Sequence, residues 1–144
     1  MIQSTIDINR SPVEVFAYIE QLEKHSEWQP EIISGHKEPP GPTKLGTLNT
    51  ELRKVPGGPR EIVSKVTEYK PPVRIAARGL NGPIRANVAI NVAPIENGTR
   101  SRVTQELEFG SHGIGKLFAF FAKRSAPAQM SKNLARLKDI LERG

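Results

Sequence analysis

The sequence predicts an α+β fold in which a curved antiparallel sheet of about seven strands wraps around one long C-terminal helix. Residues 113–143 carry apolar side chains at spacings of three and four, which is typical of an amphipathic helix. Before this helix, short segments of alternating polar and apolar residues follow one another, separated by turns rich in proline, glycine and asparagine. Such hairpin connections favour an antiparallel sheet with one apolar face, which a single helix can cover.

The chain opens with a strand and a capped helix. Polar and apolar residues alternate over residues 2–9, as in a half-buried strand. Ser11 is a good N-cap, Pro12 suits the first helical position, and Glu14 can close a capping box. The buried side of this helix is expected to consist of Val13, Phe16, Ile19 and Leu22. One or two short helices should end before Pro30, because the residue before a proline disfavours helical backbone.

The following strands are predicted from alternation and from turn residues. One begins at Ile32 and ends near Glu38, before the proline-rich loop 39–42. Others are expected at residues 45–55, 61–69, 73–79, 84–93 and 103–109. The turns between them contain Pro-Gly-Gly-Pro at 56–59, Pro71-Pro72, Asn81-Gly82 and Asn97-Gly98, the last being a favoured two-residue hairpin turn.

The C-terminal helix would be about 45 Å long at a rise of about 1.5 Å per residue, and it needs the sheet to cover its apolar stripe. Pro127 interrupts it, because proline removes one backbone hydrogen bond and clashes with the preceding turn, at a cost of roughly 3 kcal/mol. We therefore expect a kink near residues 124–126, or two helices placed end to end. The first half is aromatic, with Phe118, Phe120 and Phe121, whereas the second half is aliphatic.

Length and composition narrow the class of protein. At 144 residues the chain can bury a substantial core, and we expect a single domain over residues 1–144. It has no cysteine, which excludes disulfides, thiol catalysis and thiolate metal sites. The N-terminus lacks a signal-peptide pattern and no apolar run approaches the roughly 20 residues of a membrane span, so a cytoplasmic location without a membrane span is expected. The net charge of +6 identifies no particular partner.

A family resemblance rests on the opening strand, on SPVEVFAYI at residues 11–19, on Trp28-Gln29-Pro30 and on the closing helix. Together these segments resemble the START / Bet v 1-like (SRPBCC) superfamily, and within it the polyketide cyclase/dehydrase-like branch, over the whole chain. The resemblance implies the helix-grip fold, with an elongated pocket between the sheet and the C-terminal helix. Members bind hydrophobic or aromatic small molecules such as lipids, polyketides and hormones, and some catalyse aromatase or cyclase reactions. Catalytic residues are not shared across the superfamily, so none is carried over, and no cofactor is expected.

Small residues at inward-looking strand positions indicate space between the sheet and the helix; they are Thr47, Ala77, Gly79 and Ala86. The residues expected to contact a ligand around this space are Trp28, Thr47, Asn49, Tyr69, Gln105, Phe118 and Phe121. Trp28 is expected either to anchor the end of the pocket or to contact the ligand. The inward amide of Gln105 must be hydrogen-bonded, either to the core, to water or to a ligand. Ordinary core packing is the alternative for Phe118 and Phe121.

Other candidate sites are weaker. Residues 110–116 nearly match a phosphate-binding loop, but Leu117 stands where a serine or threonine must bind magnesium. The histidines, His25, His36 and His112, are too far apart for a metal site, and His25 and His112 are expected to be solvated. Glu106 and Glu108 are expected on the outer face as a solvated pair. The basic residues Arg53, Lys54, Arg60, Lys65, Arg74, Arg78 and Arg85 are interpreted as a solvated face; with 6% aromatic residues, nucleic-acid binding is not expected.

These observations leave three functional hypotheses. The first is a protein that binds a hydrophobic or aromatic small molecule, lipid-like or polyketide-like, between the sheet and the C-terminal helix. The second is a polyketide cyclase/dehydrase-type enzyme that acts in the same pocket, with Gln105 or Tyr69 and a water molecule relaying a proton. The third is an interaction module that uses the basic surface. The sequence leaves the ligand, the pocket size and the oligomeric state open.

Overall fold

The computed structural model describes residues 1–55, 57–82, 84–111 and 115–143, with side chains described for all of these except 84, 110, 111 and 115–123. The strands are β1 (Ile2–Ile8), β2 (Ile32–Glu38), β3 (Leu48–Val55), β4 (Gly58–Lys70), β5 (Arg74–Gly79), β6 (Ile84–Ile95) and β7 (Arg100–Ser111). The α-helices are α1 (Pro12–Ile19) and α2 (Gly115–Arg143), and short 3₁₀ helices lie at Leu22–Glu27 and Glu96–Gly98.

The strands form one antiparallel sheet in the order β1-β7-β6-β5-β4-β3-β2, which confirms the predicted helix-grip architecture. β1 pairs with β7, so that Ile2 lies opposite Leu107 and Ile8 opposite Ser101. This pairing joins the first strand to the last, while the other neighbours are successive hairpins. Register shifts at 32–34 in β2 and at 66–68 in β4 mark irregularities of the β-bulge kind, which bend strands and favour a curved sheet.

The predicted strands are present with shifted ends. β3 begins at Leu48 and not at residue 45, and Leu45 is 64% exposed. The connection between β6 and β7 is a 3₁₀ turn and not the two-residue turn predicted at Asn97-Gly98. Its residues Glu96 and Asn97 both have positive φ angles, of 50° and 59°. Asparagine tolerates this left-handed backbone better than most residues, which explains its place in the turn.

The predicted cap of α1 is confirmed. The hydroxyl oxygen of Ser11 accepts a hydrogen bond from the backbone N–H of Glu14 at 3.4 Å, and the Glu14 carboxylate accepts one from the backbone N–H of Ser11 at 3.4 Å. The buried side of the helix passes through Val15, Phe16 and Ile19. The expectation that Val13 is buried was wrong, because Val13 is 67% exposed and Val15 is buried instead.

The C-terminal helix α2 continues from Gly115 to Arg143 through Pro127, so the alternative of two helices placed end to end was wrong. Pro127 lies on an exposed part of the helix surface. The second half of α2 buries Met130, Leu134 and Leu137. The side chains of Phe118 and Phe121, both predicted to contact a ligand, lie outside the described residues.

The hydrophobic core lies between α1, the second half of α2 and one part of the sheet. Its fully buried members include Ile8, Val15, Phe16, Ile19, Trp28, Val66, Val92, Val103, Leu134 and Leu137. Burying one such side chain stabilises the fold by about 1.5–3 kcal/mol. None of the helices among the described residues is long and apolar enough to cross a membrane.

Candidate ligand-binding site

The concave face of the sheet has buried residues at one end and half-buried residues further along. Strand pairing places Ile75, Ile90 and Gln105 side by side, and these residues are buried. Two residues further along, Ala77 and Val88 form the next row with Leu107, and all three are only half-buried. The following inward residue of β7, Phe109, is also half-buried. Half-buried apolar side chains that lie together on one sheet face are typical of surfaces that contact an apolar molecule.

Two of the small residues that were predicted to look inward lie on the concave face. Ala77 lies opposite Val88, and Ala86 lies opposite Phe109, so both belong to the concave face. On Gly79 a Cβ atom would come within 3.1 Å of the backbone nitrogen and oxygen of Ala86. Glycine at this position therefore also allows close approach of β5 and β6, which is a structural role.

Three buried polar atoms among the described residues have no hydrogen-bond partner, and each belongs to a predicted ligand-contacting residue. They are the indole Nε1 of Trp28, the Oδ1 of Asn49 and the Oε1 of Gln105. Leaving such a group unpaired costs about 1–3 kcal/mol. Buried polar groups in proteins are normally paired, and a ligand that supplied the missing partners would recover this cost.

Trp28 lies at the end of the 3₁₀ helix that follows α1 and is fully buried. Its indole packs edge-on against the imidazole of His25, with ring centroids 5.3 Å apart. The expectation that His25 is solvated was wrong, because the 3₁₀ helix folds it inward and its Nε2 lies 2.7 Å from the carbonyl oxygen of Ile19. That contact requires the N–H of a neutral or protonated ring, and burial lowers the pKa of His25 below its usual 6.5. The histidine is therefore neutral near pH 7 and donates from Nε2.

A polar network ties β3 to α2. The Asn49 Nδ2 donates to Glu51 at 3.0 Å, and Arg53 donates from its two terminal nitrogens to Glu51 at 2.9 Å and to Glu31 at 3.3 Å. The same Glu31 oxygen accepts a hydrogen bond from Asn133 on α2 at 2.8 Å. This network holds the Asn49 amide in one orientation and brings a carboxylate, that of the buried Glu51, into the concave side of the sheet.

Sequence reasoning missed Glu51, Arg53 and Glu31 as part of this site. Glu51 and Arg53 have the same parity as the predicted Asn49, so that alternation along β3 was the available signal. The opposite face of β3 carries Leu48 and Leu52, however, so alternation alone does not indicate that the polar face with Asn49 is the buried one. Glu31 lies just before β2, and no sequence pattern indicated that it belongs to this site.

Two other predicted contacts already have partners inside the protein. The Thr47 hydroxyl accepts a hydrogen bond from the backbone N–H of Lys44 at 3.0 Å, which fixes the turn before β3. The Tyr69 hydroxyl donates to Glu20 at 2.7 Å, and its ring centroid lies 6.1 Å from that of Phe16. The hydrogen bond to Glu20 raises the pKa of Tyr69 to about 12, with burial adding to the effect. Tyr69 therefore stays protonated at neutral pH.

The convex face of the sheet differs from its prediction in two places. Glu106 is not part of a solvated pair with Glu108, since it accepts hydrogen bonds from Asn91 at 2.6 Å and from Arg74 at 3.3 Å. Arg53, expected on the solvated basic face, lies on the concave side in the network with Glu51. Ion pairing of Arg53 and Arg74 leaves fewer free charges for an anionic partner than the sequence suggested.

Two surface concavities lie among the described residues, and the lining of the first includes Ala77, Val88 and Leu107. The first, of about 320 Å³, surrounds Ala76 and Ala89 on the convex face. The other, of about 1120 Å³, lies between α1 and the loop that contains Pro39, Pro40 and Pro42. Within the described part of the chain, no group of three or more histidine, aspartate or glutamate side chains is arranged to hold a metal ion.

Comparison with known proteins gives a family and a fold. The model of the family described as polyketide cyclase / dehydrase and lipid transport matches residues 1–142. A START superfamily protein from Mycobacterium smegmatis is similar, with a TM-score of 0.77 and 12% identity over 99% of this chain and 97% of that one. The Zhui aromatase/cyclase from Streptomyces sp. R1128 has a TM-score of 0.75 and 12% identity, over 99% and 93% of the two chains.

A hypothetical protein from Helicobacter pylori has a TM-score of 0.77 and 15% identity, over 96% of this chain and 86% of that one. At these identities the structures establish a common fold and nothing about the ligand. No curated protein matches the chain in sequence.

Proposed function

The chain belongs to the polyketide cyclase / dehydrase and lipid transport family, and from that premise we propose that it binds a hydrophobic or aromatic small molecule between the concave face of its sheet and α2. One observation carries the proposal, namely the three buried polar atoms without partners on Trp28, Asn49 and Gln105. The half-buried apolar residues beside them would receive the body of the molecule, and the polar atoms would orient it. A cofactor-free, single-domain protein in the cytoplasm remains the prediction from the sequence.

Native mass spectrometry of the protein purified from its own host tests this proposal. We expect an apolar molecule bound one-to-one, or, for an empty protein, thermal stabilisation by members of a lipid and polyketide panel. A ligand at a hundredfold excess over its Kd adds about 2.7 kcal/mol to the free energy of unfolding. If the purified protein holds no molecule and no compound of the panel stabilises it, the proposal is contradicted.

A pair of tryptophan substitutions locates the bound molecule. Ala77→Trp adds a large side chain to the concave face and should abolish binding, because Ala77 is a small, half-buried residue on the face proposed to receive the molecule. Ala93→Trp adds the same side chain at an exposed position on the opposite face of the sheet and should leave binding unchanged. Equal binding by both variants would place the molecule elsewhere.

A cyclase-type reaction in the same space is the second candidate, and the pairing of Tyr69 with Glu20 favours it. A phenol that donates to a carboxylate can pass a proton between substrate and solvent, whereas the amide of Gln105 has no titratable proton. Tyr69→Phe should then abolish turnover of a linear poly-β-carbonyl substrate. Tyr18→Phe is the matched control, because Tyr18 is also half-buried and donates to Glu27 in the same way, from α1 and not from the sheet. Unchanged turnover in Tyr69→Phe would exclude this role.

A further inference from the structure

We infer that the ligand is neutral at its polar end and donates a hydroxyl group to the Oδ1 of Asn49, so that the site prefers alcohols and phenols to carboxylic acids. This inference rests on the proposed binding function and specifies the chemistry of the molecule bound. It follows from the orientation of one amide, from the small residues in line with it and from the charges around it.

The orientation of the Asn49 amide is fixed by its neighbour. A carboxylate can only accept hydrogen bonds, so the group that lies 3.0 Å from the Glu51 Oε2 must be the NH₂ group of Asn49 and not its oxygen. The oxygen then points away from Glu51, and it is buried without a donor. Because only 6% of Asn49 is exposed, bulk water does not satisfy this oxygen.

The residues in line with Asn49 on the concave face have small side chains. Strand pairing places Ser64 next to Asn49 and Gly79 next to Ser64, which makes a row of small residues. Neighbouring strands are about 4.8 Å apart, so this row extends for roughly 10 Å from Asn49. The half-buried Ala77 and Val88 adjoin it. An apolar body can therefore lie along the face while its polar end reaches the Asn49 oxygen.

The charges near Asn49 disfavour an anion. The carboxylates of Glu51 and Glu31 share one guanidinium, that of Arg53. The cation directly opposite Asn49, Lys37 on β2, is paired with Glu23 at 2.9 Å. Arg136 lies on α2, where its guanidinium donates to the side-chain oxygen of Asn133 at 3.3 Å. A ligand carboxylate at Asn49 would face an amide oxygen that cannot donate to it, and it would lie near the charge of Glu51. A hydroxyl group supplies the missing donor without adding charge.

Isothermal titration calorimetry on matched compounds tests the inference in the wild-type protein. The aromatic set is 2-naphthol, 2-methoxynaphthalene and 2-naphthoate, and the aliphatic set is 1-dodecanol, dodecyl methyl ether and dodecanoate. Within the set that binds, we expect the hydroxyl compound to have a Kd about tenfold lower than the ether, as for one buried hydrogen bond, and the carboxylate to bind weakest. Binding of the aromatic set would indicate an aromatic natural ligand, and binding of the aliphatic set an aliphatic one.

Asn49→Leu should remove the difference between the hydroxyl compound and its ether while ether binding remains. Asn87→Leu, at an exposed position on the convex face, should keep the difference. Far-UV circular dichroism checks that both variants fold. If Asn49→Leu does not fold, the relative affinities of the hydroxyl, ether and carboxylate compounds for the wild-type protein decide the question. Equal affinity for hydroxyl compound and ether, or tightest binding of the carboxylate, would overturn the inference and leave the proposed binding function standing. If no compound of either set binds, both are contradicted.

Discussion

The contribution of a single apolar side chain to stability depends on whether it is buried in the core. Leu137 is fully buried in the cluster between α2 and the sheet, whereas Leu45 is 64% exposed in the turn before β3. Leu137→Ala should lower the free energy of unfolding by about 2–5 kcal/mol, through lost burial and the cavity left behind. Leu45→Ala should change it by less than about 0.5 kcal/mol. Urea unfolding of the two variants checks this, and similar losses in both would contradict the assigned core.

His25 makes stability depend on pH. Its pKa in the folded protein lies below the usual 6.5 because burial disfavours the charged ring, so the unfolded chain binds the proton more readily. The free energy of unfolding should therefore fall as the pH decreases from about 7.5 through 6.5. His25→Gln should flatten this part of the profile.

His36→Gln is the control, because the His36 side chain is 63% exposed. It should leave the profile as in the wild type. Urea titrations at half-unit intervals between pH 8 and 5.5 measure the effect, and an unaltered pH dependence in His25→Gln would show that another group is responsible.

Among the helices, α1 depends on its first residue most clearly. Ser11→Ala removes the hydroxyl that accepts from the Glu14 N–H and should cost about 1 kcal/mol. Ser11→Asp should retain most of the stability, because a carboxylate also accepts from the first turn and interacts favourably with the helix N-terminus. Thermal unfolding compares the variants, and equal loss in both would mean that the side-chain cap contributes nothing.

The strands and helices were largely predictable because their signals are local. The cap at Ser11, the alternation along β6 and the stripe of α2 all follow from residues close together in the sequence. The start of β3 at Leu48 and the turn at Glu96 were not predicted, because backbone pairing across strands decides where a strand begins and ends. Similarly, the continuity of α2 through Pro127 reflects packing along the helix rather than the intrinsic cost of proline.

For the molecule as a whole, the fold followed from the sequence more completely than the site did. Trp28, Asn49 and Gln105 were predicted as contacts and each has a buried atom without a partner. The network through Glu51 and Glu31 was not predicted, because it joins residues from β3, the segment before β2 and α2. Such contacts depend on how distant elements pack, and no local pattern encodes them.

The measurement that best tests ligand binding on the concave face is an ¹H–¹⁵N NMR titration with whichever of the six compounds binds most tightly. The chain has one tryptophan, so its spectrum contains a single indole N–H signal, which reports on Trp28 alone. We predict that this signal and the side-chain amides of Asn49 and Gln105 shift in proportion to bound ligand. Shifts confined to the convex depression around Ala76, or to the groove beside Pro40, would contradict binding between the sheet and α2.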